Sequence, residues 1–380
     1  MKSRKKRKSI AFLISHQPNP RFVKQIKYLS EKNDIAVIHF FRKNMKDFSE
    51  RYKSSSIKNY RLSIIPNELT SKISFLKRLA KYFLSIIKLK NILKENSFDI
   101  IVMNNVDMFL MLRFASLNNF KNYTKCLEIS DLLPVHEKNN FLSKGFFQVE
   151  KYVFKNVDKL IVTSKKFYSG HYHKIFKKNY FVLENKPLKA LLPKKISKKN
   201  NTKRIIGIVG LLLQLDVYEC LFNAIKGNNK YEVHIYGMGK YSKEISRYDN
   251  EMENVRYFGP YKFFNDAAKI YSSIDVLFMP YSIENQSMNN KLALPNKLYE
   301  AMYYQIPIIT SKNTYLGKRV KDLGLGRVIN YKSKEELLFS IDSIYDNYDF
   351  HINNFKKLDE SLYIADTDYF ALEEYLMKDI

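Results

Sequence analysis

Cysteine is scarce in this chain, and long apolar runs are missing. The two cysteines, Cys126 and Cys220, have neither a paired spacing nor a histidine cluster beside them. This excludes a disulfide framework and a zinc site and fits a reducing compartment. No stretch reaches the roughly 18 apolar residues of a membrane-spanning helix. The basic run Lys2–Lys8 precedes an apolar stretch, Ile10–Ile14, that is too short for a signal peptide. We therefore expect a cytoplasmic protein whose first strand begins near Ile10.

Several motifs of nucleotide-binding and hydrolytic sites are also missing. Neither G-x-G-x-x-G nor a Walker lysine follows a predicted strand, and no G-x-S-x-G elbow occurs. This argues against a nicotinamide dinucleotide site, a P-loop and a serine-hydrolase site. The second half has no Asp-x-Asp pair at a predicted strand end, so neither a protein-held metal ion nor a bound cofactor is expected.

The length and the apolar pattern predict two α/β domains. A chain of 380 residues exceeds the usual size of one core, and short β-rich runs alternate with helical patterns from end to end, which is typical of doubly wound parallel sheets. The predicted strands are residues 10–15, 35–39, 100–103, 126–129, 160–163, 181–183, 205–209, 232–236, 255–258, 276–279, 307–310 and 327–329. The predicted divisions are an N-terminal domain at 1–185, a linker at 186–204, a C-terminal domain at 205–350, and a helical segment at 351–380 packing back on the N-terminal domain.

Positive charge is in large excess. The formal net charge is +27 and the pI is about 9.6, which draws a protein towards nucleic acid or acidic lipid. Between Ser71 and Lys94, apolar residues recur at three- and four-residue steps among lysines and an arginine, which predicts a basic amphipathic helix. Such a helix either packs on a core with a solvated outer face or docks onto an anionic membrane surface.

The run Leu294–Met302 is the most informative stretch. Pro295 is expected at or near a helix start, where backbone N–H groups and the helix dipole favour an anion. Lys297 and Glu300 lie three residues apart and share a helix face, so they can present an ammonium to phosphate oxygens and a carboxylate to ribose hydroxyls. An ordinary surface ion pair is the alternative interpretation.

Ligands of doubly wound sheets bind at the carboxyl ends of the strands. In the second half, Gly210 and the run Gly237-Met238-Gly239 follow predicted strands and allow a ligand to approach the backbone closely. In the first half, Asp131 follows the fourth predicted strand, where it can also cap the next turn. His136 beyond it can equally be an ordinary loop histidine.

The second half, over about residues 205–330, resembles the nucleotide-binding domain of the retaining GT-B glycosyltransferases of the group 1 type that assemble bacterial polysaccharides, and the first half resembles them only in layout. The resemblance rests on Gly207–Gly210, Val233–Gly239, Asn254–Gly259, Tyr271–Leu277, and the run Leu294–Met302 with Pro307. It implies two Rossmann-like domains facing a cleft that holds a nucleotide-sugar donor, with the acceptor on the first domain. It also implies that Glu300 binds ribose, that Lys297 binds diphosphate and that Gly210 passes beside the phosphates.

Two positions depart from that group. Many members have a second glutamate where this chain has Leu292, and many have Arg or Lys in the loop where this chain reads Leu211–Asp216. Glu284, Asn285 and Lys291 are the candidates for reading the donor sugar in their place.

Residue pattern and resemblance together give the candidate site. The catalytic candidates are Asp131, His136 and Lys297. The donor-binding candidates are Gly210, Gly237, Tyr281, Glu284, Pro295, Asn296, Lys297, Leu298 and Glu300. The acceptor-side candidates are His16, Arg21 and Glu128.

We therefore expect a glycosyltransferase on the inner face of the plasma membrane. It is expected to move a sugar from a nucleotide diphosphate donor, taken to be a UDP-sugar, to a lipid-linked or saccharide acceptor with retention, in capsule, O-antigen or exopolysaccharide synthesis. A nucleotide-sugar epimerase with the same fold and a basic nucleic-acid-binding protein are the alternatives.

Overall fold

The computed structural model describes residues 7–42, 54, 56–65, 72–116, 120–199, 201–282 and 287–378. They form two compact units. The first unit contains Met1–Glu184 and Thr367–Ile380, and the second contains Asn185–Asp366.

The first unit is built on a seven-stranded parallel sheet. Its elements are β1 (Ser9–Ile14), α1 (Pro20–Ser30), β2 (Asp34–Arg42), β3 (Ile57–Ile65), α2 (Lys72–Glu95), β4 (Ile100–Asn104), α3 (Asn105–Ala115), β5 (Thr124–Ile129), α4 (Phe141–Asn156), β6 (Lys159–Val162), α5 (Lys165–Gly170) and β7 (Tyr180–Val182). The strand order is β3-β2-β1-β4-β5-β6-β7. The order reverses between β1 and β4, so their carboxyl ends define the switch point of this sheet.

The second unit is built on a six-stranded parallel sheet. Its elements are β8 (Arg204–Leu211), α6 (Leu215–Ile225), β9 (Tyr231–Met238), α7 (Ser242–Glu251), β10 (Val255–Gly259), α8 (Phe263–Ser273), β11 (Val276–Phe278), α9 (Met288–Leu292), α10 (Asn296–Tyr304), β12 (Ile308–Ser311), α11 (Tyr315–Asp322), β13 (Gly326–Ile329), α12 (Lys334–Asp346) and α13 (Tyr348–Lys356). A last helix, α14 (Asp366–Met377), follows. The order is β10-β9-β8-β11-β12-β13, with its switch point between β8 and β11.

Both faces of the second sheet are covered. Ile206 and Ile208 of β8 belong to one buried apolar cluster, whereas Ile205 belongs to another that includes Tyr271 and Tyr299. Alternate residues of a strand point to opposite faces, so the two clusters lie on the two sides of the sheet. The predicted α/β class with two doubly wound parallel sheets is confirmed.

One strand was missed by the sequence pattern. Strand β3 reads I-K-N-Y-R-L-S-I-I and pairs only with β2 at the edge of the first sheet. Polar residues are tolerated there because an edge strand is covered less completely than a central one. The alternation of its apolar residues is therefore weaker than in the inner strands.

The segment predicted as a linker packs on the second unit. The backbone N–H of Lys199 donates to the carbonyl of Ser272 at 3.0 Å, and Lys198 pairs with Asp275 at 3.0 Å. Residues 185–203 accordingly group with that unit. The C-terminal segment divides: α13 lies in the second unit, whereas residues 367–380 lie in the first, where Lys32 pairs with Glu373 at 2.9 Å.

Helix α2 forms as predicted, and part of its apolar surface faces solvent. Among the side chains described, Ser85, Leu89 and Ile92 are buried, while Phe83 and Ile87 are 71% and 52% exposed. Of the apolar side chains described in this helix, some are therefore buried and others face solvent. No helix in the described part of the chain is long and apolar enough to cross a membrane.

Candidate functional site

Helix α10 begins with an N-terminus that its own sequence leaves open. Pro295 is the N-cap residue in an extended conformation and provides no side-chain hydrogen bond to the first turn. Asn296 is exposed, whereas Leu298 is fully buried and anchors the helix in the core. The helix ends at Gln305, whose φ of 61° turns the chain towards β12. The first turn of α10 thus presents backbone N–H groups that favour an anion.

The side chains of Lys297 and Glu300 form a nearly buried ion pair. The Lys297 ammonium lies 3.1 and 2.8 Å from the two carboxylate oxygens of Glu300 and donates to the hydroxyl of Tyr261 at 2.7 Å. The hydroxyl of Tyr271 donates to Oε2 of Glu300 at 2.7 Å. Only 19% of the Lys297 side chain and 8% of the Glu300 side chain are exposed. The pair therefore differs from an ordinary solvated surface pair, which is more exposed and more mobile.

Electrostatics keep the ammonium charged. Burial alone acts to lower the pKa of Lys297, but the negative charge of Glu300 and the hydrogen bonds to Glu300 and Tyr261 outweigh it, so the pKa is raised. Burial is also the main cause that raises the pKa of Tyr261, which keeps the phenol protonated.

Two glycines bring this pair to the carboxyl end of β8. Gly210 and Gly237 are paired in register on β8 and β9, with φ angles of +119° and +151°. A Cβ on Gly237 would lie 1.8 Å from the carbonyl oxygen of Gly210, and one on Gly210 would lie 3.1 Å from Cε of Lys297. The structure thus places Gly210, Gly237, Lys297 and Glu300 together at the switch point of the second sheet.

A hydrogen-bond network that the sequence did not reveal ties two loops together beside this point. The side chain of Gln214 accepts the backbone N–H of Ser282 at 3.0 Å. The hydroxyls of Ser282 and Tyr331 donate to Oδ2 of Asp216 at 2.6 and 3.0 Å. The network connects the loop after β8 and the start of α6 with the loop after β11, and Tyr331 joins it from the segment after β13. Its members are spread over more than a hundred residues of sequence, so no local pattern marks them.

The loop after β11 is described only in part. The backbone N–H of Tyr281 donates to Oγ of Ser311 at 2.8 Å, which fixes the start of the loop on the end of β12. Glu284 and Asn285 lie outside the described residues. Lys291 is exposed in α9.

Apolar side chains surround the carboxyl ends of β8, β9 and β10. Leu211, Leu213, Met238 and Phe258 are exposed at or just beyond the ends of β8, β9 and β10. The loop at residues 211–215 contains no Arg or Lys. Lys297 is thus the cationic side chain that the structure places against Gly210.

The first unit buries two of the acceptor-side candidates as a charge pair. Arg21 lies 2.9 Å from Glu128, which also accepts from Gln25 at 2.9 and 3.1 Å. The other guanidinium nitrogen of Arg21 donates to Ser130 at 3.0 Å. Burial raises the pKa of Glu128, although the charge of Arg21 and the hydrogen bond from Gln25 oppose this. These residues join α1 to the carboxyl end of β5.

His16 and Asp131 lie just beyond the ends of β1 and β5. His16 has its Nδ1 atom 2.6 Å from the carbonyl of Gln17. Burial is the largest cause that lowers the pKa of His16, so the imidazole is mostly neutral near pH 7. Asp131 is exposed.

His136 belongs to a cluster with Glu150 and His171, whose ligand atoms lie within 4.8 Å of one another. Nε2 of His136 lies 2.9 Å from Oε1 of Glu150, and Nε2 of His171 lies 3.3 Å from Oε2. Because Nδ1 of His136 accepts the backbone N–H of Leu133, its proton resides on Nε2 and is donated to Glu150. A metal ion at Nε2 would require the opposite tautomer. Both nitrogens of His136 are thus engaged in holding the loop that follows β5.

Comparison with known proteins shows similarity to glycosyltransferases. Residues 203–347 match the family model of the glycosyl transferases group 1. The O-antigen biosynthesis glycosyltransferase WbnH of Escherichia coli is 23% identical over 273 residues, covering 71% of this chain and 75% of WbnH. The lipopolysaccharide outer core galactosyltransferase WaaB has a similar structure, with a TM-score of 0.65 and 16% identity, over 97% of this chain and 99% of WaaB. HepE from Anabaena in complex with UDP has a TM-score of 0.66 and 14% identity, over 97% and 99%.

The two parallel sheets are therefore the GT-B fold, and the chain is a glycosyltransferase. Its second unit carries the group 1 glycosyltransferase domain, at residues 203–347, and its relatives include an O-antigen glycosyltransferase.

Proposed function

We propose that this glycosyltransferase transfers a sugar from a UDP-sugar to a saccharide acceptor in the synthesis of a bacterial surface polysaccharide. The observation that carries the proposal is the buried Lys297–Glu300 pair at the carboxyl end of β8, on the first turns of α10. The choice of UDP is supported by the complex of the similarly folded HepE with UDP. The choice of pathway is supported by the likeness to WbnH.

In the proposed reaction, the diphosphate leaves as the anomeric carbon gains positive character. Stabilisation of that leaving group requires positive charge placed where negative charge develops. Lys297 and the N–H groups at the start of α10 provide it, and Glu300 accepts hydrogen bonds from the ribose hydroxyls. Gly210 leaves room for the diphosphate beside β8. The transfer is proposed to proceed with retention and without a protein-held metal ion.

The acceptor is proposed to bind at the carboxyl end of the first sheet. His16 and Asp131 follow strands β1 and β5 there, above the buried Arg21–Glu128 pair. Asp131 is the exposed carboxylate of this group and is proposed to contact an acceptor hydroxyl. His136, tied to Glu150, is proposed to position the loop that holds Asp131.

We further propose that the first unit docks on an anionic membrane surface, where a lipid-linked acceptor would lie. Helices α2, α3 and α4 are neighbours: Tyr82 donates to Asp107 at 3.2 Å, and Arg113 to Tyr152 at 3.3 Å. Among the side chains that the structure describes in these helices, the exposed large apolar ones are Phe83, Leu84, Ile87, Phe114, Phe141, Leu142, Val149 and Tyr152. Exposed lysines accompany them at Lys88, Lys90, Lys144, Lys151 and Lys155. Apolar side chains mixed with cations favour an interface with acidic lipid.

The reaction itself is tested by measuring nucleotide release. Nucleotide sugars are first screened by thermal shift, since a ligand that binds only the folded protein raises the Tm. The best donor is then incubated with and without a lipid-linked saccharide extract. We expect UDP release to depend on the acceptor and to be abolished by Glu300→Ala. Isomerised sugar formed without acceptor would instead indicate an epimerase, and tight binding to nucleic acid without any nucleotide-sugar binding would indicate the other alternative.

A further inference from the structure

Tyr261 lies beside the Lys297–Glu300 pair but comes from a different part of the second unit. It belongs to the short loop between β10 and α8, directly after Gly259, whose φ is +73°, and Pro260. Its hydroxyl accepts from the Lys297 ammonium at 2.7 Å, and the ammonium lies 5.4 Å from the centre of its ring. No charge and no motif in the sequence marks this residue.

The hydrogen bonds of Lys297 are fully used in the structure. An ammonium group has three N–H donors and no acceptor. Its three contacts are the hydroxyl of Tyr261 and the two carboxylate oxygens of Glu300, at 2.7, 3.1 and 2.8 Å. A diphosphate oxygen can therefore bind Lys297 directly only by replacing one of these partners.

Glu300 is the partner that can give way. Its Oε2 atom also accepts from the buried Tyr271 at 2.7 Å, which fixes the carboxylate independently of Lys297. Ribose hydroxyls that donate to this carboxylate compete with Lys297 for its lone pairs. When a nucleotide replaces the contact of Lys297 with Oε1, the carboxylate keeps Tyr271 and gains a ribose hydroxyl, so no buried group loses its partner.

Tyr261 can remain bound to Lys297 throughout. A phenol has one O–H donor and two acceptor lone pairs. The lone pair that accepts from Lys297 leaves the O–H free to point to a further acceptor, and a diphosphate oxygen held by Lys297 would be within reach of that same hydroxyl.

We infer that Tyr261 is a diphosphate-binding residue of the donor site, which holds Lys297 in place and donates its own O–H to the diphosphate, while Lys297 exchanges one Glu300 oxygen for a phosphate oxygen. The inference rests on the proposed function. It assigns the phosphate half of a nucleoside diphosphate to Lys297 with Tyr261, and the ribose half to Glu300 with Tyr271.

The test compares UDP with uridine, since only UDP carries phosphate. Affinities are measured by calorimetry for UDP and by competition against UDP for uridine. Tyr261→Phe is expected to weaken UDP binding about tenfold, the effect of one lost hydrogen bond to a charged group, and to leave uridine unchanged. Glu300→Ala is expected to weaken both ligands.

Tyr248→Phe is the matched control. It removes a phenol hydroxyl that donates to Glu219 at 2.7 Å from α7, away from the Lys297 site, and it should change neither affinity. Thermal unfolding shows whether Tyr261→Phe is folded, and if it is not, Tyr261→Leu, which also lacks a hydrogen-bond donor, takes its place. Two results in the folded variant would overturn the inference: equal weakening of UDP and uridine binding, or no weakening of UDP binding. Either result counts only if Lys297→Ala still weakens UDP binding. Absence of UDP binding to the wild type overturns both the inference and the proposed donor.

Discussion

The side chain of Lys297 lies across Gly210, so that its Cε atom is 3.1 Å from the position a Cβ on residue 210 would occupy. This relationship joins two residues 87 positions apart in the sequence and fixes the ammonium at the end of β8. A side chain at position 210 would push Lys297 away from that strand end and fill the space proposed for the diphosphate.

Replacing Gly210 by alanine should therefore impair nucleotide binding. UDP affinity is expected to fall by about tenfold or more, equivalent to about 1.4 kcal/mol, as measured by calorimetry. The φ of +119° also strains an alanine by about 1–3 kcal/mol. Gly227→Ala controls for strain, since Gly227 has a φ of +71° but nothing within 4 Å of its Cβ position. Equal UDP affinities for the two variants would contradict the role of Gly210.

Replacing Glu300 by glutamine should make UDP binding sensitive to alkaline pH. In the wild type, Glu300 outweighs burial and raises the pKa of Lys297 above the usual 10.5, so the ammonium is lost only as pH rises through that higher value. In Glu300→Gln, burial lowers the pKa of Lys297 and the charge is lost at lower pH. UDP affinity is measured for the variant and the wild type from about pH 7 to about pH 10. The ratio of the two affinities is compared because the titration of uracil affects both proteins alike.

The control for that experiment is Asp322→Asn, which removes an exposed partner from Lys318 in α11. Its affinity ratio should not depend on pH. A ratio for Glu300→Gln that is equally flat would show that Lys297 does not depend on Glu300 for its charge.

Replacing Glu150 by glutamine should make the Tm of the protein fall less steeply as the pH is lowered. Burial acts to raise the pKa of Glu150, but the hydrogen bonds from His136 and His171 outweigh it, and the pKa is lowered from the ordinary 4.5. The ionised carboxylate therefore stabilises the fold above pH 4.5, and this contribution is lost as pH falls through the lower folded pKa. The difference in Tm between wild type and variant should shrink below pH 4.5. A constant difference, recorded by scanning calorimetry, would contradict this.

The exposed apolar and basic side chains of helices α2, α3 and α4 should bind acidic membranes. Wild-type protein is expected to float with vesicles containing phosphatidylglycerol at low salt and to bind less at high salt. The double variants Phe83→Ser with Ile87→Ser, and Phe141→Ser with Leu142→Ser, should each lower the bound fraction severalfold. Phe339→Ser, which removes an exposed phenylalanine from α12 of the second unit, should not. Equal flotation of the wild type and all variants would refute the proposal that these helices dock on the membrane.

The sequence predicts most strands of this fold because the inner strands are short apolar runs, or alternate apolar with polar residues as β9 does, between turn residues. It does not predict β3, whose polar residues suit a sheet edge, nor which apolar side chains of α2 are buried. In that helix both the exposed and the buried side chains include apolar residues, so spacing alone does not distinguish the two sides.

Lys297 and Glu300 are recognisable because they are close in sequence and follow a proline at a helix start. Tyr261, Tyr271 and Glu150 are not, because their roles depend on contacts between segments 14 to 36 residues apart that only the folded chain brings together. From the sequence alone, a buried tyrosine is interpreted as a core residue. Any further role depends on its hydrogen-bond partner, which the sequence does not show.

The most direct test is the binding of UDP to wild type and to Lys297→Ala, measured by calorimetry. Lys318→Ala is the control, because Lys318 forms an exposed ion pair with Asp322 in the same unit. We predict that UDP binds the wild type and Lys318→Ala alike and binds Lys297→Ala about 30-fold more weakly or worse, a loss of about 2 kcal/mol. Unchanged UDP affinity in a folded Lys297→Ala protein would contradict the assignment of the donor site.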